Sequence, residues 1–251
     1  MSGKTGNHSE GLIRPRKGKS DPAVGPDAVM VMIRNDLDYL LSLNGSDKTD
    51  QYDMGFFDLY RIMTENGATL FLSGPFLGAP QAVMGMEKLI ALGASRMWVL
   101  GWCGSLQPHL KIGHLVVPVG AHSEEGTSRH YPIGGIPPTP DGDLNGMIED
   151  ALHKAGRSFF RGEVWTTDAT YRETREKVAF YQNKGVLAVE MEMSALMTLA
   201  LFRGVRLGGL LVVSDELFGM KWHSGFSNPE LTQATRFAGQ LLTRMAVSQP
   251  G

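Results

Sequence analysis

From residue 28 onward, short apolar runs rich in β-branched and aromatic residues alternate with longer stretches of helical periodicity, and this alternation narrows the possible folds more than any other feature. The runs AVMVMI (28–33), ATLFLS (68–73), SRMWVLG (95–101), HLVVPVGA (114–121), RGEVWTT (161–167), VLAVE (186–190) and RLGGLLVVS (206–214) read as strands. Between them lie predicted helices: NDLDYLLSL opened by Asn35, 80–93 closed by Gly93, 144–159 capped by Asp143, 171–182, about 191–203, and 228–247. Asn228 and Pro229 suit the cap and first helical position of the last one. Strands that alternate with helices imply a mainly parallel sheet with helices on both faces, a three-layer αβα domain. No internal repeat or long linker breaks the pattern, so one domain is expected from 28 to 251. Residues 1–27, with Arg14, Arg16, Lys17 and Lys19, read as a flexible basic arm.

The charge balance, 24 basic against 26 acidic residues, gives no reason to expect a nucleic-acid or membrane partner. No apolar run reaches the roughly 20 residues that span a bilayer, and the first ten residues lack the apolar segment of a secretory signal. The single cysteine, Cys103, rules out an intrachain disulfide and fits a reducing, cytoplasmic setting.

In parallel α/β sheets, ligands bind beyond the carboxyl ends of the strands. Here those ends run into SGPFLGAP (73–80), GWCGSLQPHLKIG (101–113), TDATYRET (167–174), EMEMSAL (190–196) and SDEL (214–217). Gly74, Gly78, Gly101 and Gly104 would let backbone N–H groups approach an anion or a sugar. Glu190 and Glu192 flank Met191 at a strand–helix junction, where one carboxylate can enter a site while the other satisfies backbone groups. That spacing does not suit a two-carboxylate glycosidase, but a single inward carboxylate can accept sugar hydroxyls. Asp215 follows a buried run, so desolvation should raise its pKa. With a reference value of about 3.9, only about one Asp in a thousand is protonated at pH 7, so a rise of a few units makes it a usable acid. The histidines, His109, His114, His122 and His130 among them, match no zinc spacing, and Ser105 and Ser214 lack a nucleophile elbow. No metal or cofactor is expected.

Taken in order, SGPFLGAP, GWCGSLQPHLKIGHLVVP, TDATYRET, AVEMEMSAL and VVSDEL resemble the type I nucleoside phosphorylase family, most closely its uridine phosphorylase-like branch. The resemblance implies a central mixed, partly closed sheet and a catalytic domain that cleaves the N-glycosidic bond of a nucleoside, with phosphate as co-substrate. It implies ribose binding by Met191 and Glu192, with Glu190 beside them, and a base-facing acid at Asp215. Further substrate contacts would come from Gly74, Gly101, Trp102, Cys103, Gly104, Thr167, Asp168, Thr170, Tyr171 and Ser214. It also implies a homo-oligomer, dimer or hexamer, with which the apolar FFDLYRIM (56–63), richer than one helical face needs, agrees.

The sequence departs from the family pattern where phosphate would sit. Arg34 stands near a glycine position, Asp38 near an arginine, and Phe56 near a partner-subunit arginine, with Arg61 not far along. Val99 replaces a further arginine, and Trp102 a hydroxyl residue. Thr170 replaces a stacking aromatic, and Thr174 and Glu176 replace the uracil readers. Three readings therefore stand: a phosphorylase with a rearranged anion site drawing on Arg34, Arg61 or Arg129, a nucleosidase that uses water, and a nucleoside-binding protein without chemistry. Retention of Glu192 and Asp215 weighs against the third.

Overall fold

The computed structural model describes residues 11–44 and 46–247. Among these residues, ten strands and six helices follow one another as β1 (Asp27–Val31), α1 (Arg34–Ser42), β2 (Thr49–Asp53), β3 (Asp58–Met63), β4 (Thr69–Gly74), α2 (Ala79–Leu92), β5 (Arg96–Ser105), β6 (Leu115–Glu124), α3 (Gly142–Lys154), β7 (Phe160–Thr167), α4 (Arg175–Asn183), β8 (Ala188–Glu190), α5 (Met193–Arg203), β9 (Arg206–Glu216), β10 (His223–Ser224) and α6 (Pro229–Ala246). The strand order is β10-β9-β6-β7-β8-β5-β1-β4-β3-β2, and β5 also pairs with β9. That extra pairing closes β9, β6, β7, β8 and β5 into a ring, so the sheet is mixed and partly closed.

Both faces of the central strands are buried because successive side chains alternate between two helical layers. On β1, Ala28 and Met30 join the core under α2 and α5, where Met86, Leu89, Leu196 and Leu199 are buried. Val29 and Val31 join the opposite core, against Leu37 and Leu40 of α1, Leu144 and Ile148 of α3, and Leu241 and Leu242 of α6. A third, smaller core under α4 contains Trp165, Val178, Val189 and Leu217. It supports the loops that build the cavity described below.

Several local expectations change. The first helix starts at Arg34, with Ile33 rather than Asn35 at its cap position and no side-chain cap. The cap of α3 is Asp141, not Asp143: Asp141 accepts the Leu144 N–H at 2.9 Å. Its carboxylate also grips the Arg206 guanidinium, a second interaction that fixes it at the helix start. The segment 56–63 is no helix. Asp58–Met63 pairs with both β2 and β4, so its apolar residues serve a sheet, and β2 itself carries too little apolar character to announce a strand. The helix expected over 171–182 begins only at Arg175, where Thr174 caps it by accepting the Lys177 N–H. Before it, Thr170–Arg172 forms a 3-10 turn.

Residues 1–10 of the basic arm lie outside the described residues. Residues 11–20 are exposed. Chain packing begins before residue 28, since Pro22 and Val24 are buried and the Val24 N–H donates to the Leu92 carbonyl.

Candidate active site

A cavity of about 580 Å³ opens at the carboxyl end of β5, within the usual range for small-molecule sites. In register, Gly104 of β5 lies opposite Val189 of β8 on one side and Asp215 of β9 on the other. Two groups of carboxylates are thus held on opposite flanks of one strand, about 10 Å apart from backbone to backbone given an interstrand spacing of about 4.8 Å.

The first group ends β8 and opens α5. Glu190 Oε2 accepts the N–H groups of Glu192 and Met193, each at 2.7 Å, and its other oxygen accepts the Thr166 hydroxyl. Glu190 is therefore the carboxylate that satisfies backbone, serving the start of α5 where the helix dipole favours negative charge. Glu192 uses one oxygen, Oε1, to accept the Gly78 N–H at 2.6 Å at the start of α2. Burial, and then the charge of Glu190, raises the Glu192 pKa. Burial also raises that of Glu190, against the lowering effect of its three donors. Met191 lines the cavity between them, and the Thr170 hydroxyl meets its sulfur at 3.2 Å.

The second group ends β9. Asp215 accepts the Ser214 hydroxyl at 2.6 Å on one oxygen and the Trp222 indole N–H at 2.9 Å on the other. Burial raises its pKa despite these two donors. Gly104 makes the approach feasible: a Cβ there would stand 3.0 Å from Asp215 Oδ2 and 2.6 Å from a Leu217 methyl. Glu173 also lines the cavity, from the junction between the 3-10 turn and α4. Its pKa is pushed up to about 7 by burial first and by the charge of Asp215 second.

Of the residues expected from sequence, Arg34, Trp102, Cys103, Gly104, Thr170, Tyr171, Glu190, Met191, Glu192, Ser214 and Asp215 line this cavity. Gly74, Gly101, Thr167 and Arg61 do not. Gly74 is required by packing, since a Cβ would lie 2.2 Å from the Val31 carbonyl oxygen. At Gly101 a Cβ would press on Leu211 at 3.1 Å. Thr167 is buried and turns its hydroxyl to the Ala169 N–H, and Asp168 accepts the Gly126 N–H. Arg61 pairs with Asp50 on the β2–β3 edge of the sheet. Arg129 is exposed in a separate 3-10 turn, also outside the cavity lining.

Cys103 is fully buried, and burial with the neighbouring charges of Asp215 and Glu190 drives its thiol pKa well up, which keeps it from acting as a nucleophile. Among the described residues no cluster of three or more His, Cys, Asp or Glu side chains could hold a metal. Sequence reasoning missed Glu173, Trp222 and Phe226. Glu173 was hidden because a helix was expected through it; Trp222 and Phe226 lie in the loop beyond SDEL, which carries no Gly-rich or acidic signal.

The anion end departs from the family pattern in a physically defined way. Val99 has no exposed surface and belongs to the core. The Trp102 indole N–H donates to Asp36 at 2.8 Å, and its ring stacks on Phe226 at 5.7 Å between centroids. Asp36 is itself buried, and burial raises its pKa. Arg34, half-exposed, stands 3.7 Å from both Asp38 and Asp58.

These features define a single-domain α/β protein with a partly closed sheet and a cavity flanked by carboxylates at its strand ends. The chain belongs to the phosphorylase superfamily, whose family model matches residues 33–246. It is 30% identical over 179 residues to guanosine phosphorylase of Halorubrum lacusprofundi, covering 70% of this chain and 74% of that one. It is 32% identical over 167 residues to a DeoD-type purine nucleoside phosphorylase of Bacillus cereus, covering 66% and 69% of the two chains. The fold matches uridine phosphorylase from Vibrio fischeri with a TM-score of 0.78 at 21% identity, over 88% of this chain and 91% of that chain. It matches purine nucleoside phosphorylase from Toxoplasma gondii, solved with immucillin-H, with a TM-score of 0.78 at 22% identity, over 89% and 91%. Among the described residues no helix is long and apolar enough to cross a membrane.

Proposed function

We propose that this protein is an enzyme that cleaves the N-glycosidic bond of a purine nucleoside. The observation that carries this reading is the division of one cavity between Met191 and Glu192 on one flank of β5 and Asp215 on the other. Cleavage passes through a ribosyl-cation-like state. Glu192, anchored by the Gly78 N–H on Oε1, can take sugar hydroxyls, and a positive sugar favours the ionised carboxylate that burial disfavours in the empty protein. Asp215, with its raised pKa, donates a proton or hydrogen bond to the departing base. The sequence relatives named for guanosine and purine nucleosides support a purine. A screen of nucleosides read by free-base release tests the reading; no release from any of them would overturn it.

Family membership points to phosphate as the group that captures the sugar. The second reading, capture by water, is favoured by Val99 in the core and by the Trp102 indole already bonded to Asp36.

Glu192→Ala is expected to weaken nucleoside binding about tenfold or more while leaving free-base binding nearly unchanged, because a charged hydrogen bond to the sugar contributes about 1.5–3 kcal/mol. Calorimetry with both ligands checks this. Equal losses would mean that the Gly78 anchor, not the sugar contact, is what Glu192 provides.

The chain is also expected to form a homo-oligomer with an even number of subunits. Phe56, Leu77 and Met84 are exposed apolar residues around the start of α2, and Gln81 ties that region together by donating to the Phe56 carbonyl. Leu77 and Gln81 also border the cavity, so a partner seated there would narrow its mouth. Light scattering at micromolar concentration should give a dimer or hexamer; a monomer would contradict the expectation.

A further inference from the structure

We propose that Glu173 selects the base: its carboxylate accepts an N–H from the edge of the same purine whose acceptor atom takes the hydrogen bond of Asp215. This rests on the reading of the cavity as a nucleoside site.

The backbone places Glu173 for this role. The 3-10 turn Thr170–Arg172 ends with the Glu173 N–H bonded to the Thr170 carbonyl, and Thr174 then caps α4. Glu173 directly follows the turn and precedes the capping Thr174, and it lines the cavity while Arg172 and Arg175 are exposed. No other side chain or backbone N–H among the described residues bonds to the Glu173 carboxyl, whereas Asp215, Glu190 and Glu192 each accept from the protein. Its hydrogen-bonding capacity is therefore left for a ligand. A half-buried carboxyl without a partner is unfavourable in the empty protein, and a ligand donor relieves that.

The neighbouring acid decides what kind of ligand fits. Both carboxyls line the same cavity, and burial first and the charge of Asp215 second push the Glu173 pKa up to about 7, so around neutral pH the two together keep one proton, which a bound base offering its own N–H to Glu173 places on Asp215. A pair holding one proton presents one donor and one acceptor. That pattern is complementary to a base edge offering an acceptor beside an N–H, as the amino- and oxopurines do. It rejects a base edge that carries acceptors alone.

The test compares inosine, guanosine and adenosine with purine riboside, which has ring-nitrogen acceptors but no N–H on its base. For the wild type and for Glu173→Leu and Glu173→Gln, kcat/KM is measured by base release. Changes in the ratio between a substrate and purine riboside cancel the intrinsic reactivity of each bond. The ratio for the best of the three substrates is expected to fall about tenfold or more in Glu173→Leu and to recover in part in Glu173→Gln, whose amide oxygen still accepts. An unchanged ratio in both variants, with the wild type active, overturns the role of Glu173 alone. If Glu173→Leu does not fold, the ratio in Glu173→Gln decides, and one equal to the wild type then overturns the proposal. A wild type that releases base from none of these nucleosides overturns the nucleoside reading and the role of Glu173 with it.

Discussion

Asp215→Asn is expected to lower base release from the best purine nucleoside about a hundredfold while nucleoside binding stays within a few-fold of the wild type. General acid catalysis by a positioned side chain contributes typically about 10²–10⁴ in rate, and an amide cannot supply the proton. The substitution is conservative in shape: the amide oxygen can still accept the Trp222 indole N–H while the amide NH2 donates to the Ser214 hydroxyl oxygen, so the loop and the strand end should persist. The pH profile gives an independent check. An acid with a raised pKa is active in its protonated form, so wild-type turnover should fall as pH rises through that pKa. In Asp215→Asn this fall should disappear. Because burial and the charge of Asp215 push the Glu173 pKa up to about 7, the profile belongs to the pair, and Glu173→Gln should reduce it to the single titration of Asp215. Turnover in Asp215→Asn equal to the wild type would remove Asp215 from the mechanism.

The extent to which this site was legible in the sequence follows from the kind of signal each residue leaves. Buried parallel strands announce themselves as apolar runs, so the central strands β1, β4, β5 and β9 could be read directly, and the acidic residues at their ends with them. Glu192 and Asp215 were accessible in this way because each follows such a run. Edge strands have weaker patterns. Thr49–Asp53, at the edge, has no buried residue, and its inner neighbour Asp58–Met63 lay in an apolar stretch whose two partner strands the sequence alone does not reveal. Glu173 was lost for a different reason. Helical periodicity runs through 171–182, and only the tertiary setting breaks it into a 3-10 turn and a later capped helix. The glycines show the opposite error. Gly74 and Gly101 sit in motifs that suggest ligand contact, yet backbone and side-chain packing already account for both.

Base release by the wild type is expected to change less than about twofold when phosphate is removed, and phosphate itself to bind at millimolar levels or weaker. Phosphate carries about two negative charges near pH 7, and a partly dry site needs several cations or N–H donors to hold it. This chain offers few. Val99 is an apolar core residue where the family resemblance expects an arginine, and no change of rotamer can supply charge there. Trp102 has one donor, and Asp36 already accepts it. Phe226 packs against the same ring, which makes that end of the cavity apolar. The backbone N–H groups of Gly74 and Gly101 belong to strands outside the cavity lining. That leaves Arg34, which is half-exposed and shares its charge with Asp38 and Asp58. One screened cation does not hold a dianion against water, whereas a water molecule needs only a few hydrogen-bond partners to occupy the same space. The product of the reaction should accordingly be ribose, identified by chromatography of reactions run with and without phosphate. Base release that stops without phosphate and yields ribose 1-phosphate when it is restored would sink this expectation. Arg34→Ala would then be the first variant to lose the anion, because Arg34 is the only arginine that lines the cavity among the described residues.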